Sequence, residues 1–419
     1  MADKISIYLF DEHVADMYQE GDRVYLKQID EKAHRASPLS LLKERKEIET
    51  THLTFLEKVA GFISDSLPGS FGNDILNNFF LSNTNKSPTV SDKLLFIGER
   101  GLGALTFKPS IELDENSVET LELKEMFQKV KELKKGGDYH SLHSAFLVSA
   151  HSFVGGARSK AVAAINLKSQ VVYFGDRNKK LPEDFIYAII KYDDTEGDDE
   201  NKSTYSKLEY IYYLLARKSG IEMMECHLLE SNEKHHFVTK RFDIDASGKR
   251  YHVHSLAGLL HIDYNVPRAI GYEDLFRTAI KLGAILSIKQ LFLQMLFNYM
   301  FVNQDDHSRN FSFMCDESYK WRATPAYDIT FAKGEKQAVE HQLNLYTRPL
   351  SKINLEDIVT LATEFGVDLE FVATSLEKMK NLRESELPKL LDAYQISELK
   401  QKQLLDEVNK RDLQGAFNE

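Results

Sequence analysis

A long apolar run that stops abruptly in a polar cluster constrains this chain more than any other feature. Residues 291–302 are apolar except for Gln294 and Asn298, and the next nine read Asn303-Gln304-Asp305-Asp306-His307-Ser308-Arg309-Asn310-Phe311. The run is too short and too interrupted to cross a bilayer. It reads as the end of a buried helix over 282–302, so the polar cluster is held at the surface of a core. Phe311-Ser312-Phe313-Met314 then resembles a strand that can return through a hairpin to a second acidic segment, Ala326-Tyr327-Asp328-Ile329. In isolation, an Asp followed by an Asn five residues later is more often a solvated loop with a capped turn than a site. The rest of the chain has to decide.

At 419 residues the chain has room for two or three domains. The formal net charge of −11 argues against broad, nonspecific nucleic-acid binding by this chain alone. Two cysteines, Cys226 and Cys315, are too few for a disulfide framework and have no zinc spacing. Met1-Ala2-Asp3-Lys4 does not open a signal peptide, and no apolar run reaches spanning length. These features lead us to expect a cytoplasmic protein with no membrane partner.

Residues 1–110 read as an N-terminal β-rich subdomain. The alternating segment 4–10 is a strand and 22–29 its hairpin partner. Segment 61–70 is apolar and then turn-forming, and 94–107 is strand-like around Gly98, Gly101 and Gly103. We find no nucleophile–base pair and no metal cluster in this region. Residues 111–145 read as a connector, with a charged helix over 117–135. Residues 146–250 have the order of a small mixed lobe: a glycine turn, strands at 161–165, 171–174 and 185–192, a helix over 205–218, and a strand at 236–242. A period of two places Lys191 on the face of Phe185, Tyr187 and Ile189. Residues 251–419 are helical, with later helices expected over 354–366, 368–382 and 387–411.

Several weak signals fall into one order. The turn at Gly155-Gly156-Ala157 offers backbone N–H groups to phosphate oxygens, with Arg158, Ser159 and Lys160 beside it. It matches neither the Walker A pattern nor G-x-G-x-x-G. Lys191 at a strand end can pair with phosphates, and Glu209 on the next helix can orient it, as a strand lysine and a helix glutamate do in protein kinases. The D-x-x-x-x-N spacing of Asp305 and Asn310 is that of a kinase catalytic loop, and Asp328 can supply the second metal carboxylate. Only Asp305 has the spacing to Asn310, so Asp306 reads as a variable neighbour. A transition-metal site on Asp305 and His307 is the lesser alternative, because no partner cluster accompanies it.

With these residues in place, the sequence resembles the HipA-like toxin kinases of bacterial type II toxin–antitoxin systems. Asn303 to Phe313 is similar to the family's D-x-H-x-x-N-F segment, with Asp305, His307, Asn310 and Phe311 in place. Pro325-Ala326-Tyr327-Asp328-Ile329 looks like its P-x-Y-D-[IL] segment. Gly155-Gly156-Ala157-Arg158-Ser159-Lys160 resembles the G-G-A-R-x-K loop, and Lys240-Arg241-Phe242-Asp243 the [KE]-R-F-D hinge stretch. Asp65-Ser66-Leu67-Pro68 and Gly103-Ala104-Leu105-Thr106-Phe107 resemble N-terminal landmarks of the family.

The resemblance implies an α+β, two-lobed protein-kinase-like fold with an added N-terminal subdomain and an all-α C-terminal lobe. It implies a serine/threonine kinase dependent on ATP and Mg²⁺. Asp305 would be the base, and Asn310 and Asp328 the metal ligands. Residues 155–160, Lys191, Glu209, 240–242, His307, Arg309 and Tyr327 would line the nucleotide site. It further implies a protein substrate such as an aminoacyl-tRNA synthetase, growth arrest, and a small helix-turn-helix antitoxin that makes the DNA contact. Family members are often silenced by phosphorylation of a serine two residues before the glycine-loop core. Phe153 stands there in this chain, which leaves Ser152 and Ser159 as the candidate acceptors. The contrasting readings are a non-catalytic kinase-like scaffold and a small-molecule phosphotransferase.

Overall fold

Alternation in the first thirty residues builds an antiparallel meander. Strand β1 (Ile5–Leu9) buries Ile5, Ile7 and Leu9, and pairs with β2 (Glu12–Glu20), which pairs with β3 (Arg23–Gln28). The segment 22–29 is therefore not the hairpin partner of 4–10. Phe10 and Asp11 both have positive φ, the signature of a two-residue turn, and they send the chain straight back through an intervening strand. The computed structural model describes residues 4–111, 120–134, 148, 150–151, 158–174, 181, 183–193, 204–334 and 336–413.

After β3 come α1 (Lys32–Ala36), β4 (Glu47–Glu49), α2 (Gly61–Ser64), α3 (Ser70–Thr84) and α4 (Val90–Ile97). Helix α4 corrects the strand expected over 94–107. Thr89 and Asp92 form a reciprocal capping box that starts a helix in a run of strand-like composition. Only β5 (Leu105–Lys108) is extended, and it closes the first sheet in the order β4-β3-β2-β1-β5.

The second sheet has the order β10-β11-β9-β7-β8-β6. Its strands are β6 (Thr120–Glu122), β7 (Lys160–Asn166), β8 (Val171–Tyr173), β9 (Phe185–Lys191), β10 (Cys226–Ser231) and β11 (Lys234–Lys240). Residues expected in a connector thus supply an edge strand, followed by α5 (Leu123–Lys134). Met126, Phe127 and Val130 of α5 join a core shared by the first sheet and one face of the second, which contributes Ala161, Ala163, Ile165, Ala188 and Ile190. The opposite face carries Ala164, Tyr173 and Tyr187, packed with Ile244. Helix α6 (Thr204–Ser219) lies across β10 and β11.

The remainder is mainly helical, but it also holds a small sheet of β12 (His252–Ser255), β13 (Ser312–Cys315) and β14 (Arg322–Ala323). The hairpin β13–β14 is the expected return toward Asp328. Helices α7 (Leu256–Leu260), α8 (Tyr272–Lys281) and α9 (Ile288–Met300) precede it. Helices α10 (Leu355–Glu364), α11 (Leu369–Asn381), α12 (Leu387–Ala393) and α13 (Glu398–Val408) follow. The helix expected from 282 begins at 288, because Gly283 has φ 72° and Ile285–Ser287 forms a 3-10 turn. Every residue from 291 to 300 is buried, so α9 is the axis of the larger core. No helix among the described residues is long and apolar enough to cross a membrane.

The N-terminal unit is locked onto the helical lobe at α7 and β12. A Cβ on Gly61 of α2 would stand 2.0 Å from the Gly258 carbonyl oxygen of α7, so only glycine permits this approach. The neighbouring Asp65 accepts from the Ser255 amide at 2.7 Å and the Ser255 hydroxyl at 2.7 Å, and lies 2.6 Å from His254 Nδ1.

Candidate active site

The upper wall of the site follows from strand register. Lys160 of β7 stands directly opposite Lys191 of β9, and alternation puts both on the face of Tyr187 and Ala164, away from the shared core. Like charges placed opposite each other on a sheet repel, so counter-charges have to come from elsewhere. Glu209 on α6 and Asp328 both hydrogen-bond the Lys191 ammonium. Burial acts to lower the Lys191 pKa, but these two carboxylates outweigh it and hold the ammonium above its ordinary range. Lys160 is only 4% exposed. Burial and the charge of Lys191 push it down to about 8, against partial opposition from Asp328 and Glu209. Asp328 is held well below the usual carboxylate range: burial raises it, and Lys191 and Lys160 more than reverse that.

The lower wall is the loop after α9. Val302, a β-branched residue, has φ 56°, a strained turn that ends the helix. The strain is held by a backbone zip to the segment beyond Asp328. Ala332 N–H donates to Val302 at 3.2 Å and Gln304 N–H donates to Ala332 at 3.0 Å. Asp305 is half exposed, and its carboxylate lies 3.8 Å from His307 Nε2. Burial raises its pKa, His307 lowers it, and Asp328 and Asp306 raise it further, leaving a carboxyl above its ordinary value. Such a shift suits a group that accepts a proton. Asn310 donates its Nδ2 to the Asp305 carbonyl at 2.7 Å, a bond that does not use its side-chain oxygen. Asp328 has φ 57°, an uncommon conformation for a residue other than glycine, and its side chain remains 41% exposed.

The structure brings together Asp305, Asn310, Asp328, Lys191, Glu209 and Lys160. Arg158 is exposed, with its guanidinium 4.0 Å from the Tyr205 ring. Gly155, Gly156, Ala157 and Ser152 lie outside the described residues. Ser159 is fully buried, with its carbonyl accepting from Tyr192 N–H, a poor position for a phosphate acceptor. Five other residues expected to line a nucleotide site are engaged as follows. Arg309 turns away, donating to the Ser64 carbonyl at 3.1 Å and hydroxyl at 3.3 Å. Tyr327 donates to the Arg309 carbonyl at 2.7 Å. Arg241 is buried in a two-pronged pair with Asp243, at 2.9 and 2.6 Å, while Asp243 accepts from the Gly103 amide. Phe242 packs near the Tyr327 ring, and Lys240 N–H donates to Glu225. Arg309, Tyr327 and Arg241 brace the site from behind.

Asp306 is not a variable bystander. It is 1% exposed and accepts from Tyr272 at 2.6 Å and from the Gln342 amide at 2.7 Å, with His341 Nδ1 at 2.9 Å. Short-range sequence patterns gave no sign of these partners. Ser37, His254 and Asp65 line up in hydrogen-bond contact like a hydrolytic triad, but Ser37 is fully buried, so this array holds two units together. No cluster of three His, Cys, Asp or Glu side chains suited to a metal occurs among the described residues. The oxygens of Asn310 and Asp328 instead suit a hard cation that takes its other ligands from water and phosphate.

Residues 152–386 match the model of the HipA-like C-terminal domain. The chain belongs to the HipA-like family. No curated protein matches it in sequence. Among solved structures, this HipA-like chain is similar to that of the Shewanella oneidensis HipA, HipB and operator DNA complex, a toxin–antitoxin system. The TM-score is 0.66 at 15% identity, over 97% of each chain. That likeness shows that the two chains share a fold, here a mixture of helices and antiparallel sheets. The Helicobacter pylori proinflammatory kinase CtkA matches over 54% of this chain and 93% of its own, at 11% identity and a TM-score of 0.32, too low to bear on function.

Proposed function

We propose that this HipA-like protein is an ATP- and Mg²⁺-dependent serine/threonine protein kinase acting as the toxin of a toxin–antitoxin pair. The observation that carries the reading is the Lys191 ammonium held between Glu209 and Asp328, above a loop in which Asn310 is tied to the Asp305 backbone. Phosphoryl transfer asks for positioning and charge neutralisation more than covalent chemistry. Asp305, with its raised pKa, accepts the proton of the attacking hydroxyl. Lys191 stays charged and binds phosphate oxygens, and Glu209 fixes its direction. Lys160 adds a second cation beside it. Asn310 and Asp328 would hold Mg²⁺, which when bound neutralises phosphate charge.

The substrate we propose is a translation protein such as an aminoacyl-tRNA synthetase. The partner is a small helix-turn-helix antitoxin. The Shewanella relative was solved with HipB and operator DNA, and a net charge of −11 suits a chain that leaves most DNA contact to a basic partner.

Controlled expression in bacteria tests this role. Wild-type chain is expected to arrest growth, Asp305→Ala to lift the arrest at equal soluble level, and co-expression of the helix-turn-helix antitoxin to suppress it. Arrest that persists in Asp305→Ala would contradict the proposal.

A further inference from the structure

The carboxylate of Asp305 is half exposed, and the His307 ring, 3.8 Å away, is too far to hold it by a hydrogen bond. Its aim is therefore set by the backbone beneath it. That backbone turns so that consecutive aspartates point opposite ways, Asp305 outward and Asp306 into the core. A buried carboxylate is costly unless fully hydrogen-bonded, and Asp306 is met by three groups. The Tyr272 hydroxyl comes from the first turn of α8, and the Gln342 amide and His341 ring come from the segment beyond Asp328. The side chains of Asp306 and His341 are both fully shielded from solvent. Tyr272 oxygen accepts from Asn298 of α9 at 3.1 Å, and Asn298 accepts from Asn303 at 2.9 Å. One buried chain of hydrogen bonds thus ties residues 303 and 306 to two helices. Segment 341–346 is itself pinned to the start of α8. Gln342 carbonyl accepts from Arg268 N–H at 2.7 Å, and Tyr346 N–H donates to Glu273 at 2.8 Å.

We infer that Asp306 is a positioning residue for the reaction: through Tyr272, His341 and the Gln342 amide it clamps the backbone that aims Asp305, and it couples that aim to the segment beyond Asp328. The inference rests on the kinase reading. It separates aiming from phosphate binding, since Lys191 bonds Glu209 and Asp328, and among the described residues the clamp's hydrogen bonds run to Tyr272, His341 and Gln342 instead.

The test compares D306A, D306N and Tyr272→Phe with wild type, using ATP binding, kcat for protein phosphorylation, and hydrogen exchange. D306A is expected to lower kcat about 10²-fold, the cost of misplacing a reacting group by an ångström. Its ATP dissociation constant is expected to stay within about twofold, because the lost interaction acts in the transition state. Exchange is expected to rise in 303–311 and 340–346 and to stay unchanged in 185–191. D306N keeps an acceptor for the Gln342 amide and is expected to recover most of kcat. Tyr272→Phe removes one hydroxyl, which donates to Asp306 and accepts from Asn298, and gives the same pattern at smaller size if D306A does not fold. An unchanged kcat, or ATP affinity falling in step with kcat, would overturn the inference. Wild-type chain that binds ATP without transferring phosphate overturns the kinase reading instead, and the exchange pattern then decides the clamp.

Discussion

Lys160 and Lys191 face each other across β7 and β9, and carboxylates from other elements offset their repulsion. On the opposite wall, Asp306 sits in a dry nest of donors and Asn310 is fastened to a backbone carbonyl. One wall is held by charge, the other by hydrogen bonds. The difference matters for phosphoryl transfer. A wall built of ion pairs responds when a new anion arrives, because its cations can exchange a carboxylate for a phosphate. A wall built of buried hydrogen bonds stays put, which is what an aimed base requires. The N-terminal unit belongs to the rigid wall. Through Ser64 it holds Arg309, four residues beyond Asp305, and through Asp65 it grips β12.

The sharpest break of the charged wall is Lys191→Ala. It removes the cation that Glu209 and Asp328 share, and phosphoryl transfer is expected to fall about 10²- to 10³-fold. ATP affinity should fall with it, unlike the pattern expected for Asp306. Initial-rate kinetics over a range of ATP concentrations separates the two.

The rigid wall is tested next by Gly61→Ala. The added methyl meets the Gly258 carbonyl at 2.0 Å, and overpacking of this kind costs about 1–3 kcal/mol. Thermal denaturation is expected to show a lower Tm, with faster proteolysis of the N-terminal unit and no change in the intrinsic ATP contacts.

The smallest effect is a pH dependence of the charged wall. Lys160 has a folded pKa of about 8, below its ordinary 10.5. Between these values the unfolded chain binds the extra proton, so this group makes the fold more stable as pH rises from about 8 toward 10.5. Phosphate favours protonated Lys160, so nucleotide affinity is expected to fall over the same rise. Affinity measured from pH 7 to 9.5 should decline in wild type and decline less in Lys160→Met. A decline of equal steepness in both would place the titration elsewhere.

What could be read from the sequence and what could not divide along the same line. Lys191 was legible because strand alternation is a local rule, and its order with Glu209, Asp305, Asn310 and Asp328 is linear. The strand expected at 94–107 failed because a capping box outweighed composition. Arg309 was expected at the nucleotide, but its partner Ser64 lies 245 residues away in the chain. Asp306 finds its partners at residues 272, 341 and 342. Such long-range donors leave no trace in spacing, so the bracing behind Asp305 and Asn310 emerged only from the fold.

The role of Asp305 as the base of a phosphoryl-transfer site can be tested directly. The direct measurement is transfer of labelled γ-phosphate from Mg-ATP to protein serine or threonine by purified wild-type chain and by Asp305→Asn, with ATP binding measured on both. Wild type is expected to transfer phosphate, the variant to lose transfer, and the two to bind ATP equally. Transfer that survives in Asp305→Asn, or a wild-type chain that binds Mg-ATP and phosphorylates no protein, would contradict that role.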